Sequence, residues 1–475
     1  MTAAEPIVLQ RAEDLRNRRS LVLGLARSGV AAARFLADAG ADVTAYDRRA
    51  PDELRAAIGE LGSRPVQLRL GVSEAEARAL VAGAELIVTS PSVSSRFPTT
   101  DPWLREALAA AEASGHLVVS EVELFLRMTE ARVLGVTGTK GKTTTASLVA
   151  AMLERAGLPH ALGGNIGTPL IEDVERLSPR HWAVLELSEL QLPTVSRGAD
   201  VAVYTNVVAD HLDRHGTVAA YRAVKARLAE LTSERGGTVV LNADDQGCLD
   251  LAPGLATEVL WYGHDDPHLE ATVDGDRIVL LGRPLLATSE VRLPGRHMLS
   301  NVLAAALGAS AAGAGHDAIA TAVRDFRGVP HRLEAIGERV GVRWVNDSMA
   351  TIPDAAIAAL QAFDVSVVLI AGGQGKGLDL AQFVEVAVGR CRAAVLIGET
   401  ADELEHLVAG RIPTARAATM DEAVELAAAR ARAGDVVLLA PAATSFDMFV
   451  DYAARGDAFR AAAERLGVHA QDGAA

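Results

Sequence analysis

Short apolar runs alternate along the chain with Ala-rich stretches whose apolar residues recur at helical spacing, the pattern of parallel α/β architecture. The first block opens with a strand, SLVLGL (20–25), a Gly-containing turn and a helix, VAAARFLADAG (30–40). A second strand, ADVTAYD, ends at Asp47, and a third, AELIVTSPSV, carries Ser90 near its end. The second block starts with strand RVLGVTG (132–138) and adds WAVLELS, VAVYTNVV and TVVLNADD. Residues from about 253 to 294 read as an antiparallel excursion with turns. The third block carries strands VRWVND, VSVVLIAGG, AAVLIG and DVVLLAPA. We place the blocks at 1–121, 122–328 and 329–475.

At 475 residues the chain is too long for one ordinary core. Hydrophobic content of 49% with 23% charged residues describes a globular protein in water. A net charge of −15 excludes a general nucleic-acid or acidic-membrane surface, which needs a basic footprint. Cys248 and Cys391 are too few and too separated for a disulfide framework, which points to a reducing compartment. The N-terminal stretch MTAAEPIVLQRAEDLRNRR lacks a signal-peptide layout, and no apolar run reaches the length of a membrane span. A cytoplasmic protein without membrane insertion is expected.

Of 46 basic residues only four are lysines: Lys140, Lys142, Lys225 and Lys376. Compositional bias accounts for the scarcity but not for where the four lie, inside Gly-rich or acidic-and-His motifs. A position that stays Lys is a candidate for chemistry that a planar, permanently charged guanidinium cannot perform.

Two of them fall in TGTKGKTT (137–144), between a strand and the helix TTTASLVAAMLERAG. Strand, Gly-rich turn and helix N-terminus aim backbone N–H groups and the helix dipole at one spot, which suits phosphate. Gly138 and Gly141 let the backbone close around the anion, Lys142 reaches the outer phosphates, and Thr143 can ligate Mg²⁺. The strict phosphate-loop pattern wants Gly at position 136, where this chain has Val. Lys140 has a plain alternative role, facing solvent at the loop tip.

Glu186 ends an apolar strand, where a charge is costly unless it pairs or binds a cation. His211 follows another strand end, flanked by Asp210 and Asp213. Parallel strands open on one edge, where ligands bind, so Glu186, His211 and the phosphate loop are expected to converge. By itself His211 is equally a loop histidine, and Asp213 a helix cap. Lys225 sits in AAYRAVKARLAEL, beside the apolar stripe of Val224, Leu228 and Leu231. It either snorkels its stem over the core or stands close enough to a metal for modification to make it a ligand.

Taken together, GVTGTKGKTTT, GGNIGTP, ELSELQL, DHLDRHG, the helix lysine, GRHMLSN, GVPHRLE, VNDSMAT and AGGQGKG resemble the Mur ligases over essentially the whole chain. Their order and spacing are most similar to the family members that add glutamate to UDP-N-acetylmuramoyl-L-alanine. The resemblance implies three α/β domains: a Rossmann-like UDP-binding domain, a central P-loop ATPase domain and a C-terminal Rossmann-like domain. It implies a monomer that uses ATP as co-substrate and two Mg²⁺ ions. The substrate carboxylate would take the γ-phosphoryl group of ATP, and the amine of glutamate would attack the acyl phosphate.

By the same resemblance, Thr143 and Glu186 hold one Mg²⁺, while His211 and a carbamylated Lys225 hold the other. Gly138, Thr139, Lys140, Gly141, Lys142, Thr143, Thr144, Asn301, Arg332 and Asp347 correspond to ATP contacts. Asn165, with Arg27, Ser28, Asp47, Arg48, Arg49 and Ser90, corresponds to the sugar-nucleotide site. Read on its own residues, that first block (Gly24-x-Ala26-x-x-Gly29 and a later strand-end acid) fits NAD and UDP equally. Thr351, Lys376, Ser445 and Tyr452 correspond to positions that hold the carboxylates of glutamate. Two departures stand out: the family's Asn-Asp-Ser-Lys-Ala-Thr has Met349 at the lysine, and Glu-Leu-Ser-Ser-Phe-Gln is here Glu186-Leu-Ser-Glu-Leu-Gln191. Both lie on the amino-acid side and leave L-glutamate open beside D-glutamate. A bare P-loop NTPase without ligase chemistry is the reading from a different class.

Overall fold

A computed structural model describes residues 9–97, 99–208, 215, 217–292, 296–375 and 378–469. The chain divides into two compact units, Met1–Phe326 and Arg327–Ala475. The first unit holds two sheets and the second holds one.

The first sheet is parallel throughout, in the order Val66–Leu70, Asp42–Asp47, Arg19–Leu23, Leu86–Thr89, Leu117–Ser120. Successive side chains of a strand point to opposite faces, and the strand Arg19–Leu23 buries both. Val22 joins the cluster of helix Arg27–Asp38, while Leu21 and Leu23 pack with Ala77, Val81, Leu104 and Leu108 from the helices of the other face. Burial on both faces is why such strands read as unbroken apolar runs.

The central sheet has nine strands, in the order Arg283–Ala287, Arg277–Leu280, Ala271–Asp274, Val259–His264, Thr238–Asn242, Val201–Tyr204, Arg132–Thr137, Trp182–Glu186, His160–Gly164. Among the described residues the pairings are parallel from His160–Gly164 through Ala271–Asp274, and the two pairings of Arg277–Leu280, with Ala271–Asp274 and with Arg283–Ala287, are antiparallel. The expected antiparallel excursion is therefore confined to its second half. Val259–His264 extends the parallel sheet, and the reversal comes at Gly275, whose φ of 59° suits a tight turn between paired Asp274 and Arg277. Val136 and Val203 face the helices Lys142–Arg155 and Arg296–Ala311 in one cluster; Tyr204 and Leu241 face Tyr221 and Leu228 in the other.

In the second unit the order is Glu334–Arg339, Val342–Asn346, Val436–Leu439, Val367–Gly372, Cys391–Ile397, Thr414–Ala417. All pairings are parallel except the hairpin of the first two strands. Both cysteines are buried free thiols. Among the described residues no helix is long and apolar enough to cross a membrane.

One close approach shapes the first block. A Cβ on Gly29 would lie 1.8 Å from the Gly24 carbonyl oxygen, so only glycine lets the helix start this near the turn. Gly29→Ala should therefore destabilise the protein by about 1–3 kcal/mol through overpacking, read as a lower midpoint in chemical denaturation. An unchanged midpoint would contradict the close approach.

Candidate functional site

The strand Arg132–Thr137 ends between two parallel neighbours, and the loop beyond it is tied down by backbone and side chains of the next strand end. Thr139 N–H donates to the Asn206 carbonyl (2.9 Å), Lys140 N–H to Asn206 Oδ1 (3.0 Å), and Thr205 Oγ1 donates to the Lys140 carbonyl (2.6 Å). Gly138 has φ of 146°, and a Cβ there would meet Thr205 Oγ1 at 2.0 Å. Gly141 caps the helix Lys142–Arg155 in the left-handed region, where a Cβ would meet Asn301 Oδ1 at 2.3 Å. These two glycines admit the neighbours that shape the loop, and Asn301 is brought to its tip. Lys142 Nζ donates to the Thr139 carbonyl (2.8 Å), Thr143 is buried at the helix start, and Thr144 is half-buried. Lys140 is exposed, as its solvent-facing alternative expects.

Glu186 stands at the end of the adjacent strand, in register with Val136, and is 1% exposed. Its Oε1 accepts from Asn165 Nδ2 (2.8 Å), and its Oε2 is buried without a hydrogen-bond partner among the described residues. A buried carboxylate oxygen lacking a donor is costly and fits a cation. Gly164, with φ of 90°, permits the crossing: a Cβ there would lie 2.3 Å from the Glu186 carbonyl oxygen. Arg27 Nη2 donates to the Asn165 carbonyl (3.4 Å), so the first block's glycine-turn helix reaches the same edge.

Lys225 is fully buried in the helix Val218–Glu234. It lies at the centre of the buried stripe of Tyr221, Leu228, Ala229 and Thr232 rather than beside the apolar residues, which corrects the sequence-based placement. Its stem does not snorkel outward. Nζ donates to the Gly138 carbonyl (2.9 Å) and to Thr137 Oγ1 (3.3 Å), and lies 5.7 Å from the Tyr221 ring centroid. The helix lysine and the phosphate loop are thus in direct contact. His211, Asp210 and Asp213 lie outside the described residues.

In the first block Asp47 is buried and closes the turn after the first strand. Oδ2 accepts from Leu25 N–H (2.8 Å) and Arg49 Nη2 (2.8 Å), and Oδ1 from Arg49 N–H and Nε (3.0 Å each). Burial would raise its pKa, but the hydrogen bonds from Arg49 and the backbone hold it below the usual carboxylate value. Arg27 and Arg48 are exposed, Ser28 and Ser90 half-buried, and Ser90 Oγ lies 3.3 Å from Ser92 Oγ.

In the second unit Asp347 Oδ1 accepts from Leu333 N–H (2.9 Å), next to exposed Arg332. Burial pushes the Asp347 carboxyl up to about 6, while the Leu333 N–H and the Arg332 charge oppose that rise. Thr351 and Tyr452 are half-buried and Ser445 is buried; Lys376 lies outside the described residues. Sequence reasoning missed Arg455. It is 1% exposed, and its guanidinium donates to the carbonyls of Ser348, Ala443 and Thr444 and to Ser348 Oγ, at 2.9–3.0 Å. One cation ties the loop after Asp347 to the loop before Ser445. Burial lowers its pKa to about 10, which leaves it charged at neutral pH. The available signal was an arginine four residues before the buried Phe459 on one helix stripe. Thr205 and Asn206, which anchor the loop, were also missed; they sit where a strand and its polar turn meet.

Residues 136–309 match the Mur ligase middle domain, and residues 331–443 match the Mur ligase, glutamate ligase domain. The chain is 43% identical to the UDP-N-acetylmuramoylalanine–D-glutamate ligase of Solibacter usitatus, over 94% of this chain and 97% of that protein. It is 41% identical to the protein of the same name from Desulfitobacterium hafniense, with the same coverage. Among solved structures, the UDP-N-acetylmuramate–alanine ligase of Thermotoga maritima matches with a TM-score of 0.54 at 17% identity. That match covers 94% of this chain and 99% of the other, and it is a likeness of fold.

Because Asp347 binds its proton more tightly in the folded chain, it costs stability as pH rises from about 4 to about 6, and the cost is constant above that. Asp347→Asn should therefore gain on the parent over that window, by about 2–3 kcal/mol at pH 8, in chemical denaturation at pH 4 and pH 8. A pH-independent difference would contradict the buried charge.

Proposed function

The chain belongs to the Mur ligase family, and we propose that it joins D-glutamate to UDP-N-acetylmuramoyl-L-alanine, coupled to cleavage of ATP to ADP and phosphate, a step of peptidoglycan precursor synthesis. The observation that carries this reading is the buried contact of Lys225 with the phosphate loop, on the sheet edge that also holds Glu186 and Asn165. A phosphate loop alone serves any NTPase; a buried lysine and a carboxylate oxygen without a partner among the described residues call for more charge handling than ATP binding needs. Relatives named for D-glutamate at 37–43% identity favour that isomer despite Met349.

We assign residues up to 121 to the sugar-nucleotide, 122–328 to ATP and 329–475 to the amino acid. In the first domain Arg27, Ser28, Arg48, Arg49 and Ser90 hold the UDP moiety, with Asp47 fixing Arg49. Gly138–Thr144 and Asn301 hold the ATP phosphates, and Arg332 and Asp347 the nucleoside. The substrate carboxylate attacks the γ-phosphorus and ADP leaves; the glutamate amine then attacks the acyl carbon, phosphate leaves and the nitrogen releases a proton. Lys142 and the loop N–H groups meet the charge that builds on the transferring phosphoryl oxygens. Thr351, Lys376, Ser445 and Tyr452 orient the incoming glutamate.

Glu186 and Thr143 would hold one Mg²⁺, and His211 and a carbamylated Lys225 a second. Bound there, Mg²⁺ supplies neutralisation of phosphate and acyl-oxygen charge. For Lys225 the change is balanced by simple chemistry: the ammonium gives one proton to water, the resulting amine forms an N–C bond to CO₂ as one C–O π pair moves to oxygen, and the nitrogen releases a second proton to water. The buried cation becomes an anion, which no arginine could do. We further place the enzyme in the cytoplasm as a monomer.

Phosphate release in the presence of Mg-ATP and UDP-N-acetylmuramoyl-L-alanine should require D-glutamate and respond weakly to L-glutamate. Turnover that ignores the amine would favour a bare NTPase. Lys142→Ala and Lys225→Ala should each lower kcat by at least about 10²–10³-fold. Small carboxylic acids should partly restore Lys225→Ala alone; full activity in that variant without them would sink the carbamate.

A further inference from the structure

The helix that carries Lys225 is gripped from the sheet by a tyrosine that the reaction as described does not use. Tyr204 ends the strand Val201–Tyr204 and is fully buried. Its hydroxyl donates to the carbonyl of Lys225 (2.6 Å) and accepts from the N–H of Ala229 (2.9 Å). In an uninterrupted helix those two groups bond each other. A hydroxyl that engages both holds this turn from outside, as side chains do where they enter a helix ladder. Burial raises the phenol's pKa, so it stays neutral and can donate and accept at once.

The main chain of Tyr204 is equally well placed. Its Cα is in register with Thr137, and the next residue, Thr205, donates its N–H to the Thr137 carbonyl (3.0 Å). Thr137 Oγ1 and the Gly138 carbonyl both accept from Lys225 Nζ. One rigid ring therefore links the strand paired with the one that bears the phosphate loop to the main chain of Lys225, whose side chain returns to that loop. A phenylalanine would fill the same core without engaging either group. The hydroxyl is spent on the turn of Lys225.

We propose that Tyr204 is a positioning residue for Lys225: its hydroxyl fixes the height and rotation of that helical turn so that Nζ, and the carboxylate that CO₂ adds to it, stand at the phosphate loop. This rests on the ligase reading of Lys225 given above.

Tyr204→Phe tests it. The two backbone groups left behind can bond each other, so the thermal midpoint should shift by no more than about 3 °C. Displacement of Lys225 should lower kcat by up to about 10²-fold while KM for ATP stays at the parental value. Because a misplaced amine holds CO₂ less well, the variant's rate should climb with added bicarbonate over a range where the parent's is flat. Parental kcat with a flat bicarbonate response would overturn the proposal. Lys225→Ala in the same assay separates the causes, since its inactivity leaves the Lys225 reading standing and its full activity removes that reading. Should Tyr204→Phe melt below the assay temperature, 4-aminophenylalanine at 204 decides. Its amine can donate to the same carbonyl and should recover most of the parental kcat; a folded protein without that recovery would overturn the proposal.

Discussion

A lysine ammonium buried between the Gly138 carbonyl and the Thr137 hydroxyl is the contact on which the central domain depends. Burying a cation is expensive unless its protons are all directed at acceptors, so both the acceptors and the helix must be held in place. Gly138 turns its carbonyl toward Nζ in a conformation that side chains rarely adopt, with Thr205 where a Cβ would stand. Asn206 and Thr205 fix the rest of the loop. Tyr204 holds the helix from a strand end, and Thr232 on the helix accepts from Ala199 N–H (3.1 Å), just before the same strand. Tyr204, Thr205 and Asn206, at one strand end, thus contact both the phosphate loop and the helix of the lysine.

The second unit applies a related device with a different cation. Arg455 spreads its planar fork over two loops, donating to three carbonyls and a hydroxyl. It needs no proton change and is held charged. Lys225 is a single point that can lose its proton, which is what the proposed carbamate requires. That division of labour makes sense of a chain with four lysines. Lys142 stays on the loop, Lys225 is buried beneath it, and exposed Lys140 contributes its backbone to the Asn206 and Thr205 bonds.

The strands with both faces covered were legible as apolar runs, and so was the loop that follows Thr137. Five strands were not: Val66–Leu70, Leu117–Ser120, His160–Gly164, Glu334–Arg339 and Thr414–Ala417. All five are sheet edges, where one flank is uncovered and the sequence need not be uniformly apolar. The second-half hairpin around Gly275 was sensed, but the parallel strand before it was absorbed into the same excursion. Lys225 was placed beside its stripe because periodicity counts a lysine as polar; the fold puts it at the centre. Arg455 and Tyr204 escaped for a related reason. Their roles depend on carbonyls and N–H groups brought from elsewhere in the chain, and no side-chain pattern records those.

The central claim is that the carboxylate of UDP-N-acetylmuramoyl-L-alanine is activated by phosphoryl transfer at this sheet edge. Its most direct test follows oxygen: substrate labelled with ¹⁸O in both carboxylate oxygens is turned over with Mg-ATP and D-glutamate, and the phosphate is analysed by mass. Attack of the carboxylate on the γ-phosphorus leaves one labelled oxygen in each phosphate released. Unlabelled phosphate would mean that water, not the carboxylate, takes the phosphoryl group, and the account of the site as a ligase would be wrong.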